Sequence, residues 1–172
     1  PYLDSYVRKY NNSTTDISST INTDIYKPIN NYNNNDSIVI GWSGSHSTSK
    51  YLYILKQILM DLQAKYNFKL LVIGDSSFCI ENLDLEAISW SKETEVTDLQ
   101  RIDIGIYPLP NEEWVLGKSG LKALQYMALG IPTIASAIGA NFRVIENFFK
   151  IINIIVLIRL HKINHASDVR FV

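Results

Sequence analysis

Cysteine is all but missing from this chain of 172 residues. The single Cys79 excludes an internal disulfide framework and suits a reducing compartment, with a buried, inert thiol as its expected role. An excess of charge of either sign is missing too: 16 Lys and Arg balance 17 Asp and Glu, leaving a net charge of -1. That balance excludes a general binder of nucleic acid or membrane surfaces, which carries a clear basic excess. Histidines number three, and none has a sequence partner that completes a Ser-His-Asp, Cys-His or zinc constellation. His161 and His165 are spaced like metal ligands on a helix, but no further ligand accompanies them, and no metal is expected. The longest apolar run, "IINIIVLIRL" at 151–160, is too short for a bilayer span and is interrupted by Asn153 and Arg159, so no transmembrane segment is expected. Internal repeats, a Walker loop and a Gly-x-Gly-x-x-Gly are likewise absent.

What is present is an ordinary globular composition, 47% apolar and 19% charged. The length allows one domain with a real core. Residues 1–37 are rich in Asn, Ser and Thr and read as linker and loop, with a short strand over Ile17–Ile21. Because the chain opens on Pro1, it is expected to be a piece of something longer. Beyond residue 37 the pattern tightens. "SIVIGW" (37–42), "FKLLVIGD" (68–75), "ISW" (88–90), "DIGIYPLP" (103–110) and "PTIAS" (132–136) read as strands. Tyr51, Leu55, Ile58, Leu59, Leu62 and Tyr66 recur at helical spacing over 50–66, and 91–102 reads as a surface helix capped by Ser91. A further helix is predicted over 118–129, stopped by Gly130. Strands that are continuous apolar runs, alternating with helices, predict a doubly wound α/β domain with a parallel, Rossmann-like sheet.

Ligands of such sheets bind at the carboxyl ends of the strands. Two loops there carry suitable chemistry. "GWSGSHSTSK" (41–50) places Ser43, Gly44 and hydroxyls ahead of a helix with Lys50 in its first turn, where amide hydrogens and the helix dipole favour a phosphate. The same residues also fit an ordinary Ser/Thr-capped turn. "PNEEWVLGKSG" (110–120) leads into Lys118, Lys122 and Gln125, which helical spacing puts on one face, with Leu121, Leu124 and Ala128 on another that packs on the sheet. Lysines opposing a helix dipole are relieved by an anion, although a solvated polar face also accounts for them. Together the loops offer a diphosphate cradle.

The segments "IGWSGSHSTSKYL", "LLVIGD" and "DIGIYPLPNEEWVLGKSGLKALQYMALGIPTIASAIGANFRVIE" resemble the C-terminal, nucleotide-sugar-binding half of group 1 (family four) glycosyltransferases of the two-Rossmann, GT-B type. The likeness runs from Ile38 to Asn147 and extends weakly back over 19–28, as an inter-domain strand and linker. It implies three parts: 1–37 as linker and the end of a missing N-terminal acceptor domain, 38–147 as the donor domain, and 148–172 as an atypical tail from truncation or a shifted reading frame. The resemblance implies that the donor's diphosphate lies over the two loops, contacted by Ser43, Gly44, Lys50, Lys118, Ser119, Lys122 and Gln125. It places the nucleoside near Ser89–Ser91. The family's Glu-x7-Glu pair falls on Gly117 and Gln125, so both carboxylates are absent; Gln125 can still bond a ribose hydroxyl, and Glu112 or Glu113 is the candidate substitute toward the sugar. The expected function is the donor-binding half of a retaining glycosyltransferase, inactive alone, with a nucleotide-diphosphate sugar as substrate, no cofactor, and catalytic acceptor-side residues outside the chain. The alternative is a non-catalytic nucleotide- or phosphate-binding module that needs a partner. A cytoplasmic location, peripheral to the membrane in a full-length protein, is expected.

Overall fold

A computed structural model describes residues 2–29, 37–149 and 169–171. The apolar run at 151–160 and both tail histidines lie outside them. The central sheet is built from β1 (Ile38–Ser43), β2 (Phe68–Ile73), β3 (Leu85–Ile88), β4 (Ile104–Tyr107) and β5 (Thr133–Ser136), all parallel, in the order β3-β2-β1-β4-β5. A short antiparallel strand, β6 (Val169–Phe171), adds to β5 at the edge. The order reverses between β1 and β4: the chain winds outward through β2 and β3, then returns to the other side of β1.

The apolar runs explain this arrangement. Along β2, Leu70 and Val72 enter one buried cluster with Leu52 and Leu59, while Leu71 and Ile73 enter another with Leu99 and Tyr126. A strand buried on both faces needs helices on both, and the chain supplies them. Residues 46–63 form one helical run: α2 (His46–Ser49), a 3-10 stretch Lys50–Leu55 and α3 (Lys56–Gln63). They cover the first face. The other is covered by α4 (Glu95–Leu99) and α5 (Leu121–Ala128). A helix α1 (Tyr2–Val7) leads the chain, and α6 (Ala140–Phe149) follows β5.

Several expectations are corrected. Residues 17–21 form no strand, because no neighbouring strand pairs with them and Ile17 stands 85% exposed. Cys79 is exposed: Phe78 and Ile80 on either side point inward, which turns the thiol out. Tyr66 lies past the end of α3 and is exposed. Ser91 does not cap α4; its hydroxyl donates to Glu93 at 2.5 Å in a turn before the helix. The third strand ends at Ile88, which leaves Ser89 and Trp90 in a loop. Finally, α5 begins at Leu121 and not at Lys118, because Gly120 adopts a left-handed φ of +74 that no helical turn can continue through. Its buried face is therefore Ala123, Gln125 and Tyr126, while Leu121 is exposed and Leu124 and Ala128 are half-buried.

Candidate functional site

At the carboxyl ends of β1 and β4, where the strand order reverses, lies a cleft of about 440 Å³. This is where doubly wound sheets hold ligands. Its lining brings together Ser43 and Gly44 from the first loop with Lys118, Ser119 and Lys122 from the second. Thr48 and Tyr51 of the helical run close one side. The remaining expected residues stand elsewhere. Lys50 is exposed, its ammonium 5.7 Å from the Tyr51 ring centre, and it is not in the lining. Glu112 accepts the Trp114 indole N–H at 2.6 Å, and Glu113 accepts the Tyr2 hydroxyl at 2.7 Å, both outside the cleft.

The two lysines reach the cleft differently. Lys118 is in extended backbone ahead of Gly120, so it does not share a helix face with Lys122. Lys122 sits in the first turn of α5 and donates to the Ser43 hydroxyl at 3.3 Å. Burial lowers the Lys118 pKa; burial also lowers that of Lys122, with the Glu95 carboxylate partly offsetting it. Among the described residues no ion pair within 4.0 Å neutralises either lysine. Two partly buried ammoniums thus line one space, Lys122 with the Glu95 carboxylate near enough to act on it but not in an ion pair.

Two amide hydrogens of the first loop are already engaged. Ser43 N–H donates to the Tyr126 hydroxyl at 2.8 Å and Gly44 N–H to the Ile73 carbonyl at 3.0 Å. Both are committed to the scaffold. Lysine ammoniums and hydroxyls therefore supply the side-chain donors that face the cleft. Gly44 leaves no room for a Cβ, which would stand 2.3 Å from the Trp42 ring. The loop is braced from below by Asp75, which is buried and accepts the Ser49 hydroxyl at 2.6 Å and the Ser77 hydroxyl at 2.7 Å. Those two hydrogen bonds hold its pKa down. His46 lies 4.0 Å from Asp75 but is 80% exposed.

Tyr126 is a positioning residue that no local pattern announces: it is fully buried, 83 residues from its partner Ser43, and its pKa is raised by burial. Removing the hydroxyl strands the buried Ser43 N–H. Tyr126→Phe is therefore expected to cost about 1–3 kcal/mol in urea unfolding. An unchanged midpoint would mean that the hydroxyl does not hold the loop.

Gln125 lies beside the cleft in a separate network. Its amide nitrogen donates to the Tyr26 hydroxyl at 3.0 Å and to Glu95 at 3.1 Å. Glu95 also accepts Tyr26 at 2.6 Å and the Trp90 indole at 3.0 Å. The Gln125 amide oxygen is buried and has no partner among the described residues. Tyr26 and Glu95 come from 69 residues apart and were missed in the sequence for that reason.

A second cleft, about 430 Å³, lies at the opposite ends of the strands, near Lys69, Arg101 and Asp103. Two of its charges are already engaged: Arg101 pairs with Glu86 at 2.6 Å, and Asp103 accepts Val39 N–H at 2.8 Å. The amino ends of strands are also the wrong end for ligands in this architecture. Among the described residues, no cluster of three or more His, Cys, Asp or Glu could hold a metal, and no helix is long and apolar enough to cross a membrane.

A family model described as "Glycosyl transferases group 1" matches residues 37–154, well over half of the chain. No curated protein matches the chain.

Proposed function

Since the chain belongs to the group 1 glycosyltransferases, we propose that it is the donor-binding half of a retaining enzyme that moves a sugar from a nucleotide-diphosphate sugar to an acceptor. The observation that carries this reading is the convergence of Ser43, Gly44, Lys118, Ser119 and Lys122 on one cleft at the reversal of strand order. The chain brings them from two regions that are far apart in sequence, and among the described residues neither lysine has an ion pair within 4.0 Å. A diphosphate supplies the missing charge.

The chemistry asked of this half is stabilisation of a leaving group. As the bond from sugar to phosphate breaks, negative charge grows on the diphosphate, and ammoniums held in place beforehand lower the energy of that charge without reorganising. Lys122 is held by Ser43 and Lys118 by the Trp114 ring. Attack by the acceptor takes place on a surface that a further domain provides, so this half alone does not turn over. No metal or cofactor has a part in the proposal.

One observation favours a second reading, a binding module without catalysis. Among the described residues the cleft lining contains no carboxylate, and Gly117, where the resemblance expects one, has no side chain. Supplying an acceptor-side half separates the two: transfer from a UDP- or GDP-sugar supports the enzyme, and nucleotide binding without transfer supports the module.

The reading is tested first by calorimetric titration with UDP and GDP. Lys118→Ala is expected to weaken binding by about 1–3 kcal/mol, the scale of a charge-assisted contact. Equal affinities for variant and parent would remove Lys118 from the site.

A further inference from the structure

We propose that Trp114 is the platform on which the donor's sugar ring lies; this rests on the donor-binding reading above and assigns the sugar subsite within it. Trp114 is 51% exposed, yet three neighbours hold it. Its indole N–H donates to Glu112 at 2.6 Å. The Lys118 ammonium stands 4.6 Å from its ring centre, and the Tyr51 ring 6.0 Å away at 39°. Its backbone belongs to the 3-10 turn Glu113–Gly117, which is pinned by Val115 at 1% exposure and by Val115 N–H on the Glu112 carbonyl at 3.1 Å.

A half-exposed indole is normally free to move. This one stands half-open to solvent next to the cleft: it is not in the lining itself, but two of its partners, Tyr51 and Lys118, are. A flat aromatic surface beside a phosphate-binding ammonium suits a pyranose, whose C–H edge packs on the ring while its hydroxyls reach polar groups at the rim. Glu112, already at the indole edge, is such a group, since a carboxylate has more acceptor sites than the one bond uses. The other half-exposed indole, Trp90, is tied to Glu95 in the loop after β3, beside Gln125. Its partner Glu95 does not line the cleft, whereas two of the groups against Trp114 do.

The test compares the parent with Trp114→Ala and Trp114→Phe. Each is titrated with UDP, GDP, and the glucose, galactose, N-acetylglucosamine and mannose conjugates of these nucleotides. The readout is the ratio of nucleotide Kd to sugar-nucleotide Kd, with circular dichroism checking that each variant folds. In the parent, at least one pair is expected to give a ratio of about three to ten. Trp114→Ala brings it to about one, and Trp114→Phe, which keeps an aromatic face, restores most of it. A ratio that survives Trp114→Ala, or a ratio of one throughout the panel in the parent, overturns the assignment and leaves the nucleotide site standing. Failure of UDP and GDP themselves to bind the parent overturns the donor-binding reading, and this assignment with it.

Discussion

Replacing Gly74 with alanine is expected to destabilise the fold by more than about 4 kcal/mol and to abolish nucleotide binding. Gly74 follows β2 at a φ of +109, a conformation that costs any residue with a Cβ. A Cβ there would also stand 1.8 Å from the Gly44 carbonyl oxygen. That neighbour is backbone and cannot rotate away. It is also part of the first loop of the cleft, so whatever relieves the clash moves Gly44 and Ser43 out of the cleft. Domains of this size have stabilities of roughly 5–15 kcal/mol, so the variant should be near or past its folding threshold. Urea unfolding measures the loss. Gly117→Ala is the control: its new Cβ would meet only the Leu3 side chain, at 3.3 Å, on an exposed helix that can shift. A change below about 1 kcal/mol is expected there. A Gly74→Ala protein that unfolds at the parent's urea concentration would show that the two loops are not in contact as described.

The second large effect concerns Lys122→Met, which should separate stability from binding. The side chain keeps its length and apolar stem and loses its charge. UDP affinity is expected to fall by at least tenfold, as for loss of a charge-assisted contact. The fold, by contrast, is expected to gain up to about 1 kcal/mol, because a partly buried ammonium without an ion-pair partner is destabilising. The pH dependence follows from the same burial. Burial lowers the folded pKa of Lys122 below its unfolded value. Between the two values the unfolded chain binds more protons, so the parent's stability rises with pH through that window. Nucleotide affinity moves the other way, since the ammonium that binds the anion is lost as pH rises through the folded pKa. Lys122→Met should flatten both trends. Equal stability slopes in parent and variant over the alkaline range would mean that Lys122 is not buried as described.

These two residues also show how far the sequence could be read. The parallel sheet was legible because "LLVI" and its neighbours are apolar without alternation, which a strand solvated on one face does not tolerate. The cleft was legible in outline, since strand ends that carry Gly, Ser and Lys mark the ligand side of such sheets. Its detailed wiring was not. Where α5 begins depends on one left-handed glycine, and the three-residue difference changes which side chains are buried. Gln125 was expected to face a ligand, but its amide hydrogens are taken up by Tyr26 and Glu95. Ser43 was expected to bind a phosphate, and its N–H is bound instead by a tyrosine 83 residues away. Contacts of that separation leave no local periodicity to read. Lys118 and Lys122 were paired by helical spacing; the structure brings them to the same cleft by another route.

The central claim is that the cleft between β1 and β4 receives a diphosphate. Amide chemical shifts of the 15N-labelled chain, followed as UDP is added, test it most directly. The account predicts saturable shifts at Ser43–Ser45 and at Lys118–Lys122, with inorganic pyrophosphate reproducing them and competing with UDP. Shifts confined to the opposite cleft around Lys69 and Arg101, or no shifts with millimolar UDP, would contradict it.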